Sequence, residues 1–176
     1  GLGRGRQTDV LVRRLMDLPQ PLVLDADGIN ALAGHMDEWE RRRGRVTVLT
    51  PHEGEFLRVG GDLSQGRTAA AEDFARRSGA VVVLKGSGTV VAGPDGRCRV
   101  NTTGNCGMAK GGSGDVLSGV VLALLGLGMD AFDACCCAVW LHGRAGDLAA
   151  QEKGQWGMTP TDLLERLPQA LREVTE

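Results

Sequence analysis

From Asn101 to Asp115 the chain reads Asn-Thr-Thr-Gly-Asn-Cys-Gly-Met-Ala-Lys-Gly-Gly-Ser-Gly-Asp, then passes at once into Val-Leu-Ser-Gly-Val-Val-Leu-Ala-Leu-Leu125. Gly111, Gly112 and Gly114 flank Ser113, so backbone N–H groups can turn toward a ligand with no Cβ in the way. Val116, Leu117, Val120, Val121, Leu124 and Leu125 recur at intervals of three and four, the period of a helix with one buried face. The positive end of that helix falls on the glycine run, and together they would cradle a phosphate. Asp115 stands where the cradle ends. Beside a bound phosphate its carboxylate could take the proton of an attacking hydroxyl during phosphoryl transfer. A plain capped helix behind a flexible loop is the competing reading, because a carboxylate in a first turn is favourable by the dipole alone. Lys110 and three glycines in the five residues before Asp115 weigh toward a ligand, since so mobile a backbone is costly to order without one.

Two other stretches carry candidate chemistry. Lys85-Gly-Ser-Gly-Thr89 follows the apolar run Ala80-Val-Val-Val-Leu84. A lysine and two glycines at a strand's end resemble a weak phosphate loop without Walker spacing. A β-turn explains them too, because Thr89-Val-Val-Ala92 follows directly. His52 lies in Thr50-Pro-His-Glu-Gly-Glu55, after the strand-like Arg45-Val-Thr-Val-Leu49. Pro51 at a first helical position, with Glu53 and Glu55 behind it, predicts a helix start, and such strand–helix turns face the ligand crevice of an open α/β sheet.

Around these stretches the pattern alternates strand and helix. Thr8 to Met16 has helical spacing, and Pro21-Leu-Val-Leu-Asp25 is a short buried strand that delivers Asp25 and Asp27 to its C-terminal edge. Asp27 and Asn30 serve equally well as site residues or as turn and cap residues. Glu38 to Arg45 reads as a charged, solvated connection. Thr68 to Ser78 is a helix closed by Gly79, and Gly93-Pro-Asp-Gly96 is a hairpin turn. Ala134, Ala138, Leu141, Ala145 and Leu148 mark a long helix with a small-residue face, on which His142 is structural or superficial. Gly154 to Met158 is a loop, and Thr159-Pro-Thr-Asp162 starts a last helix. The expected architecture is a three-layer α/β/α sandwich on a mostly parallel sheet, one domain over 1–176.

Composition narrows the function. A net charge of −2 over 176 residues offers no basic surface for nucleic acid. No apolar run is long enough for a membrane helix, so the chain reads as soluble and cytoplasmic. Cys135, Cys136 and Cys137 are adjacent, which suits neither a disulfide framework nor zinc spacing, and no protein metal site is expected. The opening Gly1-Leu-Gly-Arg-Gly-Arg6 is not a dinucleotide fingerprint: no strand precedes it, and its third glycine comes one residue early.

Gly111-Gly-Ser-Gly-Asp115 resembles the Gly-x-Gly-Asp anion hole of the ribokinase-like superfamily. The longer string from Asn101 to Gly119 is similar to one branch of it, the ADP- or ATP-dependent NAD(P)H-hydrate dehydratases. Cys106 stands where that family usually has proline, and Lys110 where it often has threonine. The resemblance runs from Gly1 to about Leu167 and implies a ribokinase-like fold. It makes Asp115 the catalytic base and Gly111, Gly112, Ser113 and Gly114 the anion hole. It gives Lys85, Gly86, Ser87, Gly88, Thr89 and Gly114 to the adenine nucleotide, and Gly3, His52 and Asp115 to the substrate. Gly1-Leu2-Gly3 is similar to the second half of the family's Gly-Pro-Gly-Leu-Gly turn, so the chain is expected to lack the N-terminal part of the fold.

What the resemblance implies is repair of hydrated NADH and NADPH (NADHX and NADPHX), with ADP or ATP as phosphoryl donor, Mg²⁺ on the nucleotide, and a homo-oligomer, by analogy a tetramer. Two alternatives stand beside it. One is a small-alcohol kinase of the same superfamily, of the hydroxymethylpyrimidine or hydroxyethylthiazole type. The other is an inactive nucleotide-binding fragment.

Overall fold

The computed structural model describes residues 2–175, so Gly1 of the Gly1-Leu2-Gly3 turn lies outside the described residues. Helix α1 (Arg6–Leu15) buries Val12 and is followed by strand β1 (Leu22–Leu24), the short α2 (Asp27–Asn30) and α3 (Asp37–Glu40), and strand β2 (Thr47–Leu49). Next come α4 (Glu53–Arg58), α5 (Arg67–Ser78), and strands β3 (Val81–Leu84), β4 (Val90–Ala92) and β5 (Cys98–Val100). A 3-10 turn at Cys106–Met108 leads into α6 (Ser113–Gly126), α7 (Ala131–Gly157) and α8 (Pro160–Thr175).

The five strands form one sheet in the order β1-β2-β3-β4-β5. β1, β2 and β3 are parallel, with Leu24 opposite Leu49 and Leu49 opposite Val82. β3, β4 and β5 run antiparallel, with Val83 opposite Val91 and Val91 opposite Arg99. The sheet is therefore mixed. Its antiparallel part comes from the two tight turns at 85–89 and 93–96, too short for the crossover a parallel neighbour needs.

Alternation along the strands divides the core. Val82, Leu84, Val90 and Ala92 pack with Phe56, Phe74 and Ala71 on one side of the sheet. Val81, Val83 and Val91 face Leu117, Val121, Cys135 and Ala138 of α6 and α7 on the other. That is the α/β/α sandwich, with period-two strands burying both faces. A third cluster of Leu141, Ala145, Leu148, Leu163 and Ala170 fastens α8 onto α7. Among the described residues no helix is long and apolar enough to cross a membrane.

Three local expectations are corrected. The stretch from Glu38 to Arg45 is not a solvated connection: it contains α3, and Trp39 and Arg42 are each 1% exposed. Arg42 donates to Thr47 Oγ1 at 3.0 Å, to the Gln20 carbonyl at 2.9 Å, to the Val46 carbonyl at 2.7 Å, and to the Leu18 carbonyl. Its charge is tolerated inside because every guanidinium nitrogen has an oxygen partner. Pro51 is not the first helical residue of α4, for His52 is the cap and Glu53 follows it. The loop expected at Gly154–Met158 is helical through Gly157, broken only at Gly154 (φ 70, ψ 155).

Candidate active site

Gly112, with φ 98, turns the chain into the first turn of α6, a conformation in which glycine meets no Cβ penalty. The N–H groups of Gly111, Gly112, Gly114 and Asp115 have no hydrogen-bond partner among the described residues. The Ser113 N–H already donates to the Lys110 carbonyl at 3.3 Å, so that residue of the expected anion hole is largely engaged. Asp115 is exposed on the first turn of α6 and not folded inward. A helix N-terminus with open amides and a free carboxylate beside it can bind a phosphoryl group and receive a proton next to it.

Behind the cradle lies a cavity of about 720 Å³. Lys85, Gly86, Ser87, Gly88 and Thr89 line it, together with Ser113, Gly114 and His52. Thus the two glycine stretches, far apart in sequence, face one space. Gly111, Gly112, Asp115 and Gly3 are not among its lining residues. Asp115 and Gly111 stand exposed on the adjoining turn. Gly3 is exposed as well, and its N–H donates to Asp27 Oδ2 at 2.9 Å. Asn30 Oδ1 accepts from Arg58 at 2.6 Å, so Asp27 and Asn30 both hold local structure.

A charge network supports the cradle. Lys85 Nζ lies 2.7 Å from Asp25 Oδ1 and 3.8 Å from Glu55 Oε2. Ser118 Oγ, one turn into α6, donates to Asp25 Oδ2 at 3.4 Å. A Cβ added at Gly114 would sit 3.2 Å from Asp25 Oδ2 and 3.4 Å from Lys85 Nζ, so glycine leaves room for the pair. Ala26, directly after Asp25, has φ 47, a strained conformation for a residue with a Cβ. Sequence reasoning placed Asp25 at the right strand edge but gave it no partner, since β1 and β3 are not neighbours in the sheet.

His52 caps α4. Its Nδ1 accepts from the N–H of Gly54 at 2.9 Å and of Glu55 at 3.3 Å, while Glu55 Oε2 accepts from the His52 N–H at 2.8 Å. This reciprocal capping box sets the tautomer: an accepting Nδ1 carries no proton, so the proton sits on Nε2. His52 lines the cavity, with Glu55 Oε1 at 3.4 Å from its Nε2.

His142 is more than a packing residue. From α7 its Nε2 lies 2.9 Å from the Ser113 carbonyl at the start of α6, and the ring lines the cavity. A carbonyl only accepts, so Nε2 is the donor. Burial, with Lys85 nearby, holds the imidazole pKa below its usual value. The loop before the cradle is tied to the same helix: Asp147 accepts from the Gly104 N–H and from Asn105 Nδ2, each at 2.9 Å. No spacing in the sequence linked Asp147 to that loop.

Lys110 also departs from expectation. Its ammonium donates to the Trp156 carbonyl at 2.9 Å and the Met158 carbonyl at 2.5 Å. Those oxygens belong to the end of α7, where carbonyls lack intrahelical partners. Cys106 Sγ reaches the same turn, 2.8 Å from Gln155 Oε1. The two residues that depart from the family's usual loop both anchor it to one neighbour.

The match to known proteins fits this geometry. The NAD(P)H-hydrate dehydratase family model matches residues 1–169. The bifunctional NAD(P)H-hydrate repair enzyme Nnr of Thermofilum pendens is 45% identical over 181 residues, covering all of this chain and 34% of that protein. The ADP-dependent (S)-NAD(P)H-hydrate dehydratase of Neisseria meningitidis is 40% identical over 88% of this chain and 54% of its own length. The crystal structure of the ADP/ATP-dependent NAD(P)H-hydrate dehydratase of Bacillus subtilis, co-crystallized with ATP/Mg2+, superposes with a TM-score of 0.85 at 35% identity. That superposition covers 98% of this chain and 62% of the Bacillus chain. The chain thus spans about a third of the bifunctional relative and under two thirds of the other two. With this match along nearly its whole length, the chain belongs to the NAD(P)H-hydrate dehydratase family.

Proposed function

We propose that the chain, acting as one ribokinase-like domain, dehydrates NADHX and NADPHX to NADH and NADPH at the expense of ADP or ATP. The observation that carries this reading is the set of unpartnered amides of Gly111, Gly112 and Gly114 with Asp115 exposed beside them. Relatives named for this dehydration support it over a small-alcohol kinase. The hydrate's ring hydroxyl would approach on the open side of the cradle, where Asp115 takes its proton as the oxygen attacks the terminal phosphoryl group. The cradle amides stabilise the charge on that group, and AMP leaves when ADP is the donor. The C–O bond then breaks with its electrons on phosphate, the ring nitrogen's lone pair forms the C=N bond, and a proton lost from the adjacent carbon restores the dihydropyridine.

In this reading Lys85, Gly86, Ser87, Gly88, Thr89 and Gly114 hold the nucleotide. Gly3, His52 and Asp115 meet the hydrate, His52 through its Nε2–H. Mg²⁺ would come with the nucleotide and keep several of its waters, while Asp25 and Glu55 stay with Lys85 and are not among the cavity's lining residues. Mg²⁺ would neutralise phosphate charge. A cytoplasmic homo-oligomer, a tetramer by family resemblance, completes the proposal, and exposed Leu122 and Leu127 on α6 and just beyond it offer apolar surface.

The test is product analysis. NADHX incubated with the chain, Mg²⁺ and either ADP or ATP should give NADH absorbance, with one phosphate released per NADH. Accumulation of a stable phosphorylated alcohol in place of phosphate would assign the chain to the kinases.

A further inference from the structure

Arg67 opens α5 and reaches beneath the Lys85–Thr89 loop. Its Nη1 donates to the Ser87 carbonyl at 2.6 Å and the Gly88 carbonyl at 3.1 Å, and its Nη2 to the Leu84 carbonyl at 3.0 Å. Glu53 Oε1 lies 3.2 Å from Nε, near enough to balance the charge but out of line for a hydrogen bond. One guanidinium thus holds three carbonyls of a single loop. Gly86, at φ 151, permits the approach: a Cβ there would sit 2.6 Å from Arg67 Nη2.

In a trans peptide the carbonyl and the following N–H point in opposite directions. Fixing the Ser87 and Gly88 carbonyls on the Arg67 side therefore turns the N–H groups of Gly88 and Thr89 the other way. Neither N–H has a partner among the described residues, and both residues line the cavity. Were those peptides to flip, two carbonyl oxygens would face the cavity in place of two donors. The guanidinium's rigid fork reaches these acceptors from two nitrogens in one fixed geometry, which a single lysine ammonium on its flexible stem does not reproduce.

We propose that Arg67 is the positioning residue of the nucleotide loop, holding the Ser87 and Gly88 carbonyls so that the Gly88 and Thr89 amides are aimed at an acceptor edge of the adenine nucleotide. This rests on the assignment of Lys85–Thr89 to the nucleotide made above. Arg67 touches no reacting atom, so its loss should weaken binding and spare chemistry.

The experiment is calorimetric titration of ADP into the wild-type chain and the R67M, R67K and R76M variants, with steady-state kinetics alongside. R67M should raise the Kd and KM for ADP about tenfold or more, while kcat at saturating ADP stays within about twofold, because Asp115 and the cradle are untouched. R67K should recover little of the affinity, and R76M, which removes an exposed arginine from the same helix, none of the loss. Folded R67M with wild-type ADP affinity would overturn the proposal, as would a fall in kcat at unchanged KM or full rescue by R67K. Should R67M fail to fold, R67K carries the same test. A wild-type chain that binds no ADP would remove the nucleotide assignment itself, and this proposal with it.

Discussion

Lys85 Nζ and Asp25 Oδ1 lie 2.7 Å apart across 60 residues of sequence, at the C-terminal ends of β3 and β1. Their side chains are only 22% and 16% exposed, beside the first turn of α6. The pair places a fixed positive charge where phosphate is expected, with a carboxylate behind it that prevents it from swinging away.

Replacing Lys85 by Met should lower kcat/KM for ADP about a hundredfold, the usual scale for losing one electrostatic contact in a phosphoryl site. The companion D25N and the double variant complete a thermodynamic cycle in denaturant melts. A coupling of about 0.5–3 kcal/mol is expected for partners in one network. A coupling indistinguishable from zero would mean that the pair does not act as a unit.

Arg42 makes a different prediction, about stability alone. R42M should cost about 3 kcal/mol, because the Gln20, Val46 and Leu18 carbonyls and Thr47 Oγ1 would lose a charged donor inside the protein. Chemical denaturation measures it. A change within about 0.5 kcal/mol, the range of ordinary surface substitutions, would show that those acceptors are satisfied by water.

His142 bears on pH. Its folded pKa lies below the unfolded value of 6.5 because burial penalises the imidazolium. Between those two values the unfolded chain binds a proton that the folded chain does not, so stability falls as pH drops from 6.5 toward the folded pKa. Above 6.5 both states are neutral and His142 contributes no slope. H142Q should flatten this part of the stability–pH curve, as followed by thermal melts at several pH values. An unchanged curve would remove His142 as its source.

How much of this was legible beforehand depended on the range of the interaction. The Val116–Leu125 periodicity, the Gly79 helix stop and the Gly93–Gly96 hairpin are local patterns, and each appears where the sequence places it. The open amides at the start of α6 were legible for the same reason, since glycine freedom and a helix start adjoin within five residues. Asp25 with Lys85, Arg67 with the 84–88 carbonyls, and Asp147 with Asn105 join residues 17 to 60 positions apart. Spacing along the chain carries no trace of such pairs. Arg42 was misread because an arginine among charged neighbours looks solvated, and only the fold brings carbonyls from two turns around it. Lys110 was weighed toward a ligand by its place beside the glycines, while its long stem lets the ammonium reach α7 instead.

The most direct test is Asp115→Asn, assayed for NADH formation from NADHX with ADP while ADP affinity is followed by calorimetry. The account predicts a fall in kcat of about a hundred- to ten-thousand-fold, with ADP binding close to wild type, because the cradle amides remain. Substantial turnover by the variant, or loss of ADP binding in step with turnover, would contradict a proton-accepting role for Asp115.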